Sequence, residues 1–392
     1  MNKNILDTGV QHFINNNWNT DMMSVLLKKP LFEGVSQKEL VAQCEAKKKC
    51  KDKLPTWFST PQIYYANKLN IEQTSSEITA DYKAQLVHGN SLIDLTGGFG
   101  IDSYFFSRQI AHITHCEIDE NLSEIAAYNL PLLGVKNVQY VAEDGLQFLT
   151  KNDLHFDWIY IDPSRRNDSK EKVFFLADCL PNVPDHVDLL FSKASNILIK
   201  TSPLLDFSIG IKELKFVKEI HVVAVQNEVK ELLWILENEY EKNISIKTIN
   251  FSKNEKETFK FDFLEEKESI SEYSNPLRYL YEPNSAILKS GAFKSVGTYF
   301  KLKKLHEHSH LYTSDTCIDF PGRRFKIVAT VPYQKKAIQK LAISKANITT
   351  RNFPDTVASI RKKYHIKDGG THYLFFTTNC ENKLTVLVCT KI

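Results

Sequence analysis

The middle of the chain alternates short apolar runs with longer amphipathic stretches. LIDL (92–95), ITHCEI (113–118), VQYVAE (138–143), DWIYID (157–162), NILIKT (196–201) and IHVVAV (220–225) are short and β-rich, and helical stretches such as ENLSEIAAYNLPLL (120–133) lie between most of them. This alternation predicts an α/β domain with a doubly wound, mainly parallel sheet. ISIKTINF (244–251) and TFKFDF (258–263) alternate with period two and predict an antiparallel edge or hairpin.

The flanks differ. Residues 1 to about 75 read as helical, with helix formers and a basic end in VSQKELVAQCEAKKKCKDK (35–53) and a break at LPTWF (54–58). Thr74 with Glu77 fits a capping box. LEEKESISEYSN (264–275) reads as a linker and NSAILKSGAF (284–293) as a short helix. The end reads strand (325–331), helix (335–346), strand (347–353), helix (354–364), and then DGG (368–370) turning into YLFFTT and KLTVLVCTK, which NCEN joins. That is a compact α+β module.

Composition narrows the class. The chain has 392 residues, 42% hydrophobic and 25% charged, which is ordinary for a globular protein and leaves room for two or three domains. No apolar run approaches a membrane span, and the first residues lack the apolar core of a signal peptide, so a cytoplasmic protein without membrane partners is expected. Seven cysteines (44, 50, 116, 179, 317, 380, 389) form no CxxC pair and read as reduced thiols. The net charge of +3 hides an asymmetry: from Leu277 onward 20 Lys and Arg face 7 Asp and Glu, a surplus of 13, which leaves −10 for the rest. A basic C-terminal third on an acidic body points to a polyanionic partner, against the plainer reading of an uneven solvated surface.

DLTGGFGIDS (94–103) follows a strand and opens a helix. Glycines there let a ligand approach the backbone. A dinucleotide fingerprint wants a third Gly, and Ser103 stands in its place. Glu117, Asp144 and Asp162 fall with Asp94 at successive strand ends, where ligands of open α/β sheets bind. An acid after the second strand can accept both ribose hydroxyls, and one after the third an adenine amino group. Each alone also suits a helix N-cap.

DLTGGFGID, CEID, AEDG and IDPSRR together resemble the class I S-adenosylmethionine-dependent methyltransferases over about residues 76–250. KLNIEQTSSEITADYK (68–83), YLYEPNSAILKSGAF (279–293) and IKDGGTHYLFFTT (366–378) resemble a bacterial methyltransferase family with a C-terminal THUMP-like domain. The resemblance implies a Rossmann-like seven-stranded sheet, a helical region at 1–75, a catalytic domain at 76–264, a small ferredoxin-like subdomain at 276–314 and a THUMP-like domain at 315–392. It implies S-adenosylmethionine over Asp94, Thr96, Gly97, Gly98 and Gly100, with the ribose on Glu117 beside Ile118 and the adenine near Asp144. It also implies an RNA substrate, tRNA or rRNA.

Methyltransferases of base amines often carry Asp-Pro-Pro-aromatic after the fourth strand. Asp162 and Pro163 match; Ser164 replaces the second Pro and Arg165 the aromatic. An arginine there can stack on a base or grip a phosphate. Methylation at a pyrimidine C5 needs a nucleophilic Cys, and the fifth strand ends in Lys200-Thr201-Ser202-Pro203 without one; Cys179, the nearest, falls in a helical or loop stretch. The expected catalytic set is Asp162, Pro163, Ser164 and Arg165, with RNA held by Arg165, Arg166, Arg323, Arg324, Arg351 and Lys362. Tyr333, Phe353 and Tyr364 interleave with the C-terminal cations, as stacking platforms do and as core aromatics also do. His306-Glu307-His308-Ser309-His310 matches the letters of H-E-x-x-H, but its flanks look extended rather than helical, so no metal site is expected. The expected activity is transfer to a base nitrogen of structured RNA; the alternatives are a DNA or small-molecule methyltransferase, or a non-catalytic protein that binds the cofactor and RNA.

Overall fold

The structure is a computed structural model, and it describes every residue except 28, 166–174 and 254, together with the backbone but not the side chain of Arg165. The chain falls into two units, Met1–Val217 with Trp234–Tyr240, and Lys218–Leu233 with Glu241–Ile392.

The first unit opens on helices. Ser36 and Glu39 close a reciprocal capping box at the start of Gln37–Lys53, and Ile5, Val10, Ile14, Val25, Val35, Leu40 and Cys44 form the core beneath it. The cap expected at Thr74 is displaced. Thr74 closes the preceding helix Lys68–Gln73 by donating to Asn70 O, and Ser76 caps Glu77–Ala84 by accepting from Thr79 N. Glu77 is thereby released to accept from Thr56 N and Oγ1, at 2.7 and 2.8 Å.

The apolar runs form strands: β1 (Ser91–Asp94), β2 (His112–Cys116), β3 (Val138–Val141), β4 (Phe156–Ile161), β5 (Ala194–Thr201), β6 (Val217–Val225), β7 (Glu228–Glu237), β8 (Ser245–Phe251) and β9 (Lys256–Asp262). Their hydrogen-bonded order is β3-β2-β1-β4-β5-β7-β6-β8-β9. β1 to β7 make up the seven strands that the resemblance implies. In the first unit β1 to β5 pair parallel, and their ends lie level: Asp94 stands opposite Tyr160 on one side and His115 on the other.

In the second unit Gln226 and Asn227 link β6 to β7 with φ of 52° and 62°, the paired positive values of a tight hairpin turn. The expected hairpin is β8–β9, and β8 joins β6 in parallel. The stretch expected as a linker is tied down instead. Phe263–Glu268 is helical, Glu266 accepts from Lys294 N and Ser295 N at 2.8 Å each, and Asn275 bonds Glu381 and Asn379. Its polar residues serve as caps, which composition alone does not distinguish from solvation.

The C-terminal sheet contains β10 (Tyr279–Pro283), β11 (Lys303–Lys304), β12 (Tyr312–Ser314), β13 (Gly322–Pro332), β14 (Lys345–Arg351), β15 (Lys367–Thr378) and β16 (Leu384–Lys391), ordered β11-β12-β10-β13-β16-β15-β14. Two expectations change here. The helix at 335–346 is only Lys335–Lys340, because Ala342 adopts φ 51° and the chain re-enters a strand at Lys345. DGG is no turn: Gly369 and Gly370, at φ 91° and 89°, lie inside β15 where its register against β14 slips. Among the described residues, no helix is long and apolar enough to cross a membrane.

Candidate functional site

Asp94, the last residue of β1, starts the glycine loop. Thr96 N donates to Asp94 Oδ1 at 3.0 Å, Gly97 N to Cys116 O at 2.7 Å, and Gly100 N to Gly97 O at 3.0 Å. The glycines meet different demands. A Cβ at Gly97 would lie 2.2 Å from the His115 ring, so packing requires that glycine, whereas Gly100 is favoured by its left-handed backbone, φ 84°, with Leu130 3.3 Å from where a Cβ would stand. A Cβ at Gly98 would have no neighbour nearer than Thr96 O at 3.8 Å, so this residue, at φ 57°, faces open space.

Glu117, one residue beyond β2, accepts from Gly98 N at 2.7 Å and from Asp119 N at 2.8 Å. Each carboxylate oxygen keeps acceptor capacity beyond its one bond. Ile118 beside it is 71% exposed. Asp144 caps the helix Gly145–Lys151 through Gln147 N, and Gly145 packs so tightly on Leu95 that a Cβ there would meet Leu95 O at 2.7 Å. Asp162 N donates to Thr96 Oγ1 at 2.7 Å. The sheet therefore sets Asp94, Thr96, the glycines, Glu117, Ile118, Asp144 and Asp162 along the carboxyl ends of its parallel strands.

Beneath the loop lies a polar network that sequence reasoning missed. Ser103 Oγ joins Asp94 Oδ2 at 2.8 Å to His115 Nδ1 at 3.0 Å, and all three residues are buried. Beside it the ammonium of Lys83, fully buried, lies 3.1 Å from Asp102 Oδ1 and donates to Ser75 Oγ at 2.7 Å, while Ser75 and Tyr160 both donate to Asp102 Oδ2. The one signal was Ser103 in a glycine's usual place. Lys83 carries no local mark of its role.

Burial pushes the Asp94 carboxyl up to about 8, with Asp102 and Asp162 acting in the same sense against the Ser103 and Thr96 hydrogen bonds. Burial pushes His115 down to about 4. An unfolded chain releases the Asp94 proton near 3.8. The folded state thus binds more protons, and Asp94 makes stability fall as pH rises toward 8. His115 contributes only between about 4 and 6.5. The melting temperature of the ligand-free chain is therefore expected to drop between pH 6.5 and 8.5. The drop should vanish in Asp94→Asn, and an unchanged drop there would assign it elsewhere.

At the fourth strand, Asp162 forms an ion pair with Lys200. Ile161 pairs with Ile199, so the next residues of β4 and β5 stand side by side. Ser164 and Arg165 form a two-residue ladder with Cys179 and Leu180, which places Cys179 opposite Arg165 rather than in a helix or loop. Its thiol donates to Phe175 O at 3.7 Å. Arg166, and the side chain of Arg165, lie outside the described residues.

A protein of Porphyromonas gingivalis W83, solved by crystallography as a candidate methyltransferase, superposes on this chain with a TM-score of 0.90 at 31% identity, over 98% of this chain and 97% of its own. The chain belongs to its family, the class I methyltransferases with a C-terminal THUMP-like domain. Residues 279–321 match a ferredoxin-like domain family and 322–391 a THUMP domain-like family. An uncharacterised RNA methyltransferase of Mycoplasma mobile is 29% identical over 76 residues, which are 19% of this chain and 21% of that protein, so the match spans about a fifth of the relative.

In this methyltransferase three of the four C-terminal cations expected to hold RNA are paired with carboxylates. Glu282, 3% exposed, accepts from Arg323 Nε at 2.6 Å on one oxygen and from Arg351 Nε and Nη2 at 3.0 and 2.8 Å on the other. Arg324 pairs with Asp319 at 3.0 Å, while Lys362 is exposed. Tyr333 packs edge to face on Phe353 and on Tyr364, and all three lie partly buried against the Ile338–Phe376–Val386 core. In the basic stretch 45–53, Lys47 is 4% exposed and donates to Phe58 O, and Lys53 donates to Ile71 O and Glu72 O. The H-E-x-x-H letters fall in a turn: His306 bonds Asn382 and Asn352, and His310 stacks on Phe293 at 3.7 Å. Among the described residues no group of three metal-ligating side chains occurs.

Proposed function

We propose that this chain transfers a methyl group from S-adenosylmethionine to a base nitrogen of structured RNA, tRNA or rRNA, in the cytoplasm. The observation that carries the reading is the open Gly98 backbone beside the Glu117 carboxylate, with Asp162 anchored to the same loop through Thr96. Those residues fit the methyl donor. Asp94, Thr96, Gly97, Gly98 and Gly100 would cradle it, Glu117 would take its ribose hydroxyls beside Ile118, and Asp144 would face its adenine. Bound there, the donor supplies a sulfonium-activated methyl, which needs a positioned nucleophile more than it needs catalytic machinery.

Asp162 would hold the target nitrogen and receive its proton, with Pro163 and Ser164 shaping the turn and Arg165 and Arg166 on base or phosphate. Arg323, Arg324, Arg351 and Lys362 would grip phosphates from the THUMP-like domain. The RNA reading rests on that domain and on the RNA-methyltransferase relative. The test is transfer of labelled methyl from the donor into RNA of a strain lacking the protein. Nuclease-sensitive label is expected, and binding of that RNA should weaken steeply with salt. Label in DNA or small metabolites alone would replace the substrate, and donor binding without transfer would replace the activity.

A further inference from the structure

The Asp-Pro motif differs from the amine-methylating pattern in a way that its own letters do not show. Asp162 is paired with a lysine. Lys200, next to last in β5, and Asp162 each follow the last paired residues of their strands, Ile199 and Ile161, and the two side chains keep 15% and 29% of their surface exposed. They stand at the carboxyl ends of two neighbouring inner strands, beside the Thr96 hydroxyl that fixes the Asp162 backbone. An acceptor and a donor are thus presented together, next to the loop proposed to hold the methyl donor.

Ion pairs, exposed or buried, contribute little to stability on average, so this half-buried pair calls for another account. Two kinds of base edge match one acceptor beside one donor. One is an exocyclic amine next to a ring nitrogen, as in adenine and cytosine. The other is a ring N–H next to a carbonyl, the lactam edge of guanine and uracil. Charge separates them. A cation on the ring nitrogen of adenine or cytosine draws electrons from the amine and makes it a poorer nucleophile. A cation on a lactam oxygen does the opposite: it stabilises the negative charge that collects on oxygen as the ring N–H is lost. A site for amines is served by acceptors alone, and here a cation is built in.

We infer that Asp162 and Lys200 read a lactam edge, so that the methylated atom is a ring nitrogen flanked by a carbonyl, N1 of guanine or N3 of uracil. This deepens the RNA reading and rests on it. The ring N–H proton passes to the Asp162 carboxylate while Lys200 donates to the adjacent carbonyl oxygen. The electron pair left on nitrogen forms the new N–CH3 bond. The S–CH3 bond breaks with its pair returning to sulfur, which discharges the sulfonium. The base ends neutral, Asp162 ends as the acid and returns its proton to solvent, and the Lys200 ammonium is unchanged. Lys200 is then a catalytic residue of the transfer.

The test uses the full chain, labelled methyl donor and RNA from a strain lacking the protein, with the RNA digested to nucleosides and separated by mass. Label in N1-methylguanosine or N3-methyluridine is expected. Label on an exocyclic amine, a ring carbon or a ribose overturns the inference and leaves RNA methylation standing. No label in any RNA overturns the reading beneath it as well. Lys200→Met, which keeps the bulk and removes the charge, should lower kcat/KM about 10²- to 10³-fold near neutral pH, the range for losing one such donor. Its rate should then climb about tenfold per pH unit as base ionisation replaces the cation, a slope steeper than the wild type's. Lys200→Arg should recover part of the rate. A Lys200→Met profile parallel to the wild type's, with melting unchanged, would reduce Lys200 to a structural partner and overturn the inference.

Discussion

Asp162→Asn is expected to bind S-adenosylmethionine within a few-fold of the wild type and to transfer methyl to RNA at least about 10²-fold more slowly, the usual loss when a positioned proton acceptor is removed. Asparagine preserves the shape of the turn. The bond that ties this position to the loop, Asp162 N to Thr96 Oγ1, belongs to the backbone and survives the change. What is lost is the carboxylate proposed to receive the proton, and with it the counter-charge of Lys200. Calorimetric titration of the donor and a filter assay of labelled RNA separate the two quantities. Undiminished transfer would remove Asp162 from the chemistry. A parallel collapse of donor affinity would make it a part of the cofactor loop instead.

Lys83→Met is expected to cost about 3–5 kcal/mol of stability, the range for leaving one buried charge of a pair uncompensated. Lys83 is fully buried, and its partner Asp102 is 8% exposed. Ser75 and Tyr160 would still donate to Asp102, but two neutral hydrogen bonds do not balance a carboxylate out of water. The urea midpoint, followed by tryptophan fluorescence, measures the loss. Lys83→Met combined with Asp102→Asn should recover much of it, because the orphaned charge is then gone. A double variant as weak as the single one would show that the lysine matters through packing rather than charge.

The strand ends were legible because period and composition act locally: the runs from LIDL to IHVVAV lie in β1 to β6, and four acids at their ends predicted one edge of a sheet. The glycine loop was legible for the same reason. Ser103 in place of a third glycine looked like a weakened fingerprint, yet its hydroxyl is the link between Asp94 and His115. Lys83 and Lys200 were not legible as members of ion pairs. Each gains its role from a partner distant in sequence, Asp102 and Asp162, and lysines in a helix or a strand end carry no pattern of their own. The linker at 264–275 and the DGG turn were misread for a related reason: polar and glycine-rich segments look alike whether they meet water or other backbone.

Glu282 bears on how the THUMP-like domain would meet RNA. One carboxylate holds two guanidiniums, Arg323 by one oxygen and Arg351 by the other, so the cluster carries a single net positive charge. Free arginine side chains surrender about 2 kcal/mol of rotamer entropy each when they are fixed. Here that loss is taken during folding, before any RNA arrives. A phosphate that docked on this cluster would gain less from raw charge than two loose arginines offer, and would lose less to ordering. The domain would then favour a backbone of one particular shape over polyanions in general.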